Sequence, residues 1–183
     1  MREYASPTIW LSPYIQDPQN FIELTNRPDM TNTILNPAFY WFRLEDLSGL
    51  EVHEMIKARE AVFVIEQNCP YQEADDYDLN AWHLICRIHH TFAAYARVVD
   101  PEVKYSQPSI GRVMTTKEFR GRRLGTLLMQ EVIEFTESKY PSKGIKISAQ
   151  SYLHDFYVTL GFHRMGEEYL EDNIPHISMI KPG

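Results

Sequence analysis

Ile110-Gly111-Arg112-Val113-Met114-Thr115-Thr116-Lys117-Glu118-Phe119-Arg120-Gly121-Arg122-Arg123-Leu124-Gly125 reads as a strand that enters a short loop and opens a long amphipathic helix. The free amides at a helix start, with the helix dipole behind them, form a ready site for a pyrophosphate. Gly121 and Gly125 let the backbone approach such a ligand closely, and Arg120, Arg122 and Arg123 add positive charge. An ordinary helix start with a solvated basic turn would look similar. What favours a phosphate cradle is the order of strand, loop, glycines and helix.

Outward from this stretch, the pattern is mixed α/β around a single sheet. Phe39 to Leu44 reads as a first strand, and Ser48 with Glu51 forms a capping box opening a helix that carries Val52, Met55, Ile56, Arg59, Val62 and Phe63. His83 to Ile88 and Phe92 to Val99 read as strands around a tight turn at His89 and His90. After the Ser109 to Met114 strand, a helix is expected from about Arg122 to Lys139, with Leu124, Leu127, Leu128, Val132 and Phe135 on one face. A strand from Ile145 to Ala149, a helix from Leu153 to Leu160, and strands from Phe162 to Tyr169 and His176 to Ile180 complete the order.

Residues 1–38 differ. Pro7, Pro13, Pro18, Pro28 and Pro37 interrupt them, yet Trp10, Leu11, Tyr14, Phe21 and Leu24 are too apolar for a solvated tail. They read as an irregular arm packed on the 39–183 domain or on a second subunit, which would make a homodimer.

Composition narrows the function. The 183 residues are 44% hydrophobic, enough for one sizeable core. A formal charge of −7 argues against nucleic acid, whose phosphates need a broad basic face. No stretch has the apolar length of a signal peptide or a membrane span. Cys69 and Cys86 provide neither metal spacing nor a disulfide framework, so the expectation is a cytoplasmic protein without a metal.

The Arg120 to Gly125 segment resembles the acetyl-CoA-binding motif of the GNAT N-acetyltransferase superfamily: Arg or Gln, two residues, Gly, one residue, then Gly or Ala. Arg123 stands where that motif has its middle glycine. Phe156-Tyr157, three residues, then Gly161-Phe162 is similar to a second GNAT signature. The stretch Arg59 to Gln72 resembles the ElaA-like family within GNAT, as do Asp75 to His83, Ala94 to Arg97, Ile110 to Val113 and Ile174 to Ile177. The resemblance covers about residues 39 to 181.

It implies a GNAT fold: a mixed sheet flanked by helices and splayed between its fourth and fifth strands, with acetyl-CoA in the gap. The main chain of Val113, Met114 and Thr115 would then pair with the pantetheine arm. The pyrophosphate would meet Arg120 and Gly121 and the amides of Arg122, Arg123, Leu124, Gly125 and Thr126. Tyr157 matches the family's general acid, which protonates the departing thiolate; its ring could equally only pack between helix and sheet.

The acceptor, a small-molecule or peptide amine, would bind between the first helix and second strand. There Glu66, Gln67, Asp75, Asp76, Asp78 and His83 lie in or beside a run without positive charge. Glu66 or His176 is the candidate base, and Gln67, Asp75, Asp76 and His83 are the candidate acceptor contacts. A solvated acidic loop and a structural histidine are the alternatives. Arg59, on an apolar helix face, is expected in a buried ion pair. The competing function is a non-catalytic acyl-CoA-binding module, favoured by Arg123 and by the arm.

Overall fold

In a computed structural model of the chain, residues 36–183 are described. The arm expected over residues 1–38 lies outside them up to Leu35. Among the described residues seven strands form one sheet in the order β1-β2-β3-β4-β5-β7-β6, comprising β1 (Ala38–Phe42), β2 (Ala81–Ile88), β3 (Thr91–Val99), β4 (Ser109–Thr115), β5 (Ile145–Gln150), β6 (His163–Glu171) and β7 (Ile174–Lys181). The helices are α1 (Gly49–Arg59), α2 (Leu124–Lys139) and α3 (His154–Thr159). All neighbouring strands run antiparallel except β4 and β5.

The parallel pair is the exception that matters. Its ladder is the single register Ser109↔Lys146, whereas β5 and β7 pair from Ile145↔Lys181 through Gln150↔His176. The sheet therefore splays beyond Ser109, as the resemblance implied. A β-bulge on β4 accompanies the splay: Tyr95 pairs with Met114 but Arg97 pairs with Gly111, and Arg112 takes a left-handed φ of 52°. An extra residue bends its strand locally and re-aims the side chains beside it.

Strand alternation then gives the two faces different jobs. Ala94, Ala96 and Val98 of β3, with Ile145, Ile147 and Ala149 of β5, are buried in one core with Leu124, Leu128, Met129, Val132 and Ile133 of α2. This corrects part of the expected helix stripe. Leu127 is exposed on the outer side of α2, because burial repeats from Leu124 through Leu128 and Val132. Phe135 instead stacks on Trp41, with ring centroids 3.7 Å apart. The opposite face buries Tyr95 and Met114 with Met55 of α1, so it carries α1 and the alternate β3 and β5 residues Arg97, Ser148 and Gln150.

The capping box forms as expected: Ser48 Oγ accepts from the Glu51 amide while the Glu51 carboxylate accepts from the Ser48 amide. Beyond Arg59, however, α1 becomes a π-helical segment, Glu60–Glu66, whose wider turns are closed by bonds such as Cys69 N–H to Val64 C=O. The wider turn carries Val62, Phe63 and Glu66 to a cleft while leaving Arg59 facing inward.

Arg59 has no solvent exposure. It donates from Nε to Glu73, from Nη1 to Asp78 at 2.9 Å and from Nη2 to the Glu73 carbonyl at 3.0 Å. Burial would raise the Asp78 pKa, but the hydrogen bond and charge of Arg59, joined by Arg97, hold it below the ordinary value. A depressed folded-state pKa contributes stability above the unfolded carboxylate pKa, and that stability is lost as pH falls through the folded value. Arg59→Met takes the innermost guanidinium from two buried carboxylates, leaving Asp78 to Arg97 and Glu73 to Arg112, and should cost about 3–5 kcal/mol in urea unfolding at neutral pH. The wild-type advantage should shrink below about pH 4, where Asp78 protonates in the unfolded chain. An undiminished advantage down to strongly acid pH would show that the ion pair does not carry it.

Candidate active site

A cleft of about 660 Å³ opens at the splay. It is lined by the π-helical segment, the bulged part of β4, the polar face of β5, the β6–β7 turn and α3. Its composition comes from alternation. Ile147 and Ala149 point into the α2 core, so Ser148 and Gln150 take the other face; likewise Ile177 is buried in that core while His176 lines the cleft.

On the α1 side the cleft wall is a charge network. Arg97 donates to both carboxylate oxygens of Asp75, at 2.6 and 3.0 Å, and to Asp78 at 2.7 Å. Arg112, aimed by the bulge, donates from Nε to Glu73 at 2.7 Å and from Nη2 to Asp75 at 3.2 Å. With Arg59 behind them, three guanidinium groups face Glu73, Asp75 and Asp78. The run without positive charge in sequence is thus neutralised in space. Asp75 lines the cleft with its charge already compensated, while Asp76 is exposed outside the cleft lining.

His83 is the clearest departure from expectation. It has no solvent exposure, lies outside the cleft lining, and bonds through Nδ1 to the Tyr95 hydroxyl (2.7 Å) and through Nε2 to the Asp78 carbonyl (3.0 Å). Burial lowers its pKa, which suits a neutral ring with both nitrogens committed. It braces the network rather than facing an acceptor.

Glu66 and Arg120 occupy the cleft rim as a bonded pair. Arg120 donates from Nη1 and Nη2 to the two Glu66 oxygens, and from Nε to the Thr115 carbonyl at 3.1 Å. The hydrogen bond from Arg120 holds the Glu66 pKa below the ordinary range, so Glu66 is a poor proton acceptor while the pair persists. Gln67 also lines the cleft and accepts from Gln150 Nε2 at 3.1 Å, linking the π-helical segment to the end of β5.

His176 is better placed. Its Nδ1 lies 2.8 Å from the Ile174 carbonyl, which can only accept, so Nδ1 carries a proton and Nε2 is the nitrogen outside this bond. The ring stacks on Tyr169 and lines the cleft. Tyr157 reaches the cleft from the other side of the splay, with its ring buried edge-on to Phe156 and Phe162. The ring packs in the core and the side chain also lines the cleft. Burial pushes its pKa up to about 12.

Beside the cleft lies the helix start. Leu124 is the first residue of α2, and Arg123 before it is left-handed, with φ 62°. Val113, Met114 and Thr115 line the cleft beyond the point where β5 pairs with β4. A side chain at Gly121 or Gly125 would meet no atom within 4 Å, so both glycines border open space. The Thr126 amide is the exception to the expected cradle: it is bonded to the Arg123 carbonyl at 3.1 Å, which shifts the available donors to the Gly121–Gly125 stretch. The basic side chains, small residues and helix start fit a diphosphate. Among the described residues no group of His, Cys, Asp or Glu is arranged to hold a metal, and no helix is long and apolar enough to cross a membrane.

Several cleft residues were not singled out from the sequence as site residues: Arg97, Lys104, Arg112, Ser148, Gln150 and Glu171. The polar alternation Lys146, Ser148, Gln150 was the available signal for the β5 members.

A left-handed non-glycine residue costs roughly 1–2 kcal/mol. Arg123→Gly should therefore raise the unfolding free energy, by about 0.5–1 kcal/mol after the added flexibility of the unfolded chain. Chemical denaturation measures this directly, and a destabilised variant would mean that the Arg123 side chain holds the turn.

Comparison with known proteins agrees with the geometry. Residues 46–182 match the acetyltransferase (GNAT) domain family. The UPF0039 protein sll0451 of Synechocystis is 42% identical over 141 residues, covering 76% of this chain and 92% of that protein. Protein ElaA of Escherichia coli K12 is 36% identical over 138 residues, covering 74% and 90%. Among solved structures, an acyl-CoA N-acyltransferase from Pseudomonas aeruginosa superposes with a TM-score of 0.76 at 36% identity, covering 79% of this chain and 99% of that one. With a splayed β4–β5 pair, a helix start at its mouth and relatives of this similarity over most of its length, the chain belongs to the GNAT acetyltransferase family, close to ElaA.

Proposed function

We propose that the protein is an acetyl-CoA-dependent N-acetyltransferase that acts on a primary amine in a ternary complex. The observation that carries this reading is the cleft at the β4–β5 splay, with His176 lining it from the sheet's polar side and Tyr157 from α3. The name of the Pseudomonas relative, an acyl-CoA N-acyltransferase, supports the donor class.

Acetyl-CoA supplies a thioester carbonyl as the electrophile. Residues Gly121–Gly125, with Arg122 and Arg123, would receive its diphosphate through free amides and positive charge. Main-chain groups of Val113, Met114 and Thr115, which β5 does not pair, would hold the pantetheine amides. His176 Nε2 would take the proton from the acceptor ammonium, directly or through water, leaving a nucleophilic amine. The amine nitrogen then bonds to the carbonyl carbon and the C–S bond breaks. Tyr157 Oη would donate a proton to the sulfur as it leaves and recover one from solvent.

A thiol pKa near 8.5 makes the thiolate a tolerable leaving group, so help from an acid need not be large. With its pKa pushed up to about 12, Tyr157 stays protonated throughout the working range. The cytoplasm, with its acetyl-CoA and reduced thiols, suits two free buried cysteines.

Acetyl-CoA near 1 mM should raise the melting temperature, since only the folded chain holds it. Gly125→Glu should abolish that shift without harming the ligand-free fold, because the new side chain enters open space. An absent shift in the wild type would remove the reading. Tyr157→Phe should lower kcat by roughly 10 to 10³-fold with acetyl-CoA affinity retained. The wild-type kcat should show no alkaline decline below about pH 10, since Tyr157 loses its proton near 12. Full activity in Tyr157→Phe would return Tyr157 to packing alone, and thiol release with no amine of a broad panel would favour a binding module.

A further inference from the structure

Among the described residues, the acceptor side of the cleft contains one lysine outside the charge network. Lys104, in the loop between β3 and β4, lines the cleft and is half-buried. Among the described residues it makes no salt bridge, whereas Arg97, Arg112 and Arg120, the arginines of the lining, are each bonded to carboxylates. What Lys104 has instead is aromatic: its Nζ lies 5.7 Å from the Tyr77 ring centroid and 5.4 Å from that of Tyr105. Such contacts offset part of the lost hydration of an ammonium but supply no acceptor for its three N–H groups.

Its surroundings make the charge count. Burial is the largest cause of its lowered pKa; the Glu171 carboxylate, the strongest charge acting on it, opposes that shift, Arg97 and Arg112 reinforce it, and Asp75 opposes it. Asp75 is already shared by the two arginines. Glu171 accepts from Ser148 Oγ at 2.6 Å and Ser148 is linked to Tyr169, so this carboxylate is anchored on the sheet rather than drawn to Lys104. Arg97 also has a buried Nε–H without a hydrogen-bond partner among the described residues. Among the described residues the cleft thus presents an ammonium without a salt bridge and, near enough to act on it, a carboxylate anchored elsewhere. That pair is the complement of a molecule bearing both an amine and a carboxylate.

We infer that the acceptor is an amino acid or similar amine carrying a carboxylate, with Lys104 binding its carboxylate between Tyr77 and Tyr105 and Glu171 drawing in its ammonium. This rests on the acetyltransferase reading for the fate of the amine, but the binding step is independent of turnover. The carboxylate gains a charge-assisted hydrogen bond in a partly desolvated site. A neutral amide in the same place would leave the Lys104 charge uncompensated. Discrimination against the amide should therefore be roughly 10- to 100-fold, the range for a hydrogen bond to a charged group.

The test titrates glycine, β-alanine and lysine, each beside its carboxamide, into the protein by calorimetry, with and without coenzyme A. Acetyl transfer to the same compounds is followed by mass spectrometry. At least one acid should bind and react about 10-fold or more better than its amide. Lys104→Met should erase that preference and Lys104→Arg should keep it, with coenzyme A affinity the same in both. Acids and amides binding equally, or none binding, overturns the proposal even if coenzyme A binds and thiol release persists. Failure of coenzyme A to bind would instead defeat the acetyltransferase reading, and the titration without it still decides the Lys104 site. Acetylation of Lys104 itself, found in its tryptic peptide, would make it an acceptor rather than an anchor and also overturn the proposal.

Discussion

The arrangement of this protein depends on two parallel strands that stop pairing almost as soon as they start. A buried backbone donor or acceptor without a partner is costly, so a sheet normally closes along its whole length. Here β4 and β5 share one register pair and then diverge. The divergence is built in from both sides. On β4, the bulge at Arg112 removes the strand from regular pleating. On β5, the antiparallel ladder with β7 continues to Gln150, holding that strand in place while its other edge stays open. The cleft follows from that divergence.

Holding such a gap open needs rigidity on either side, and the two sides achieve it differently. The α2 side is apolar, with Leu128, Met129 and Val132 packed without exposure against β3 and β5. The α1 side is ionic. Arg59, Arg97 and Arg112 divide three carboxylates among them, and His83 and Tyr95 close the network from beneath. Replacing such a cluster with well-packed apolar residues would often be neutral for stability, whereas removing one member leaves a charge stranded. The network fixes the positions of charges along the cleft and neutralises most of them.

Much of this was legible in the amino-acid order because it is local. The strand, loop and helix around Gly121 and Gly125 announce themselves through turn chemistry and periodicity, as does the Ser48–Glu51 cap. The buried role of Arg59 followed from a charge set among apolar positions at helical spacing. The polarity of the acidic run was misleading for a physical reason: a one-dimensional reading of Glu66 to Asp78 cannot see that Arg97 and Arg112, on other strands, point into it. His83 failed similarly. A histidine beside acidic residues looks available until the sheet places Tyr95 and a carbonyl on its two nitrogens.

By itself, then, the sequence determined the element order, the GNAT fold, the family and the pyrophosphate-compatible helix start, since each depends on residues adjacent in the chain or on a pattern carried by its relatives. Tertiary structure alone decided which charges cancel, that Glu66 is held by Arg120, that His176 is bonded through Nδ1 to the Ile174 carbonyl, and that Lys104 makes no salt bridge among the described residues. Those outcomes depend on distances between groups that are far apart in sequence, such as Arg97 from Asp75 or Arg120 from Glu66. Charge interaction falls with separation in space, and only the folded sheet sets that separation.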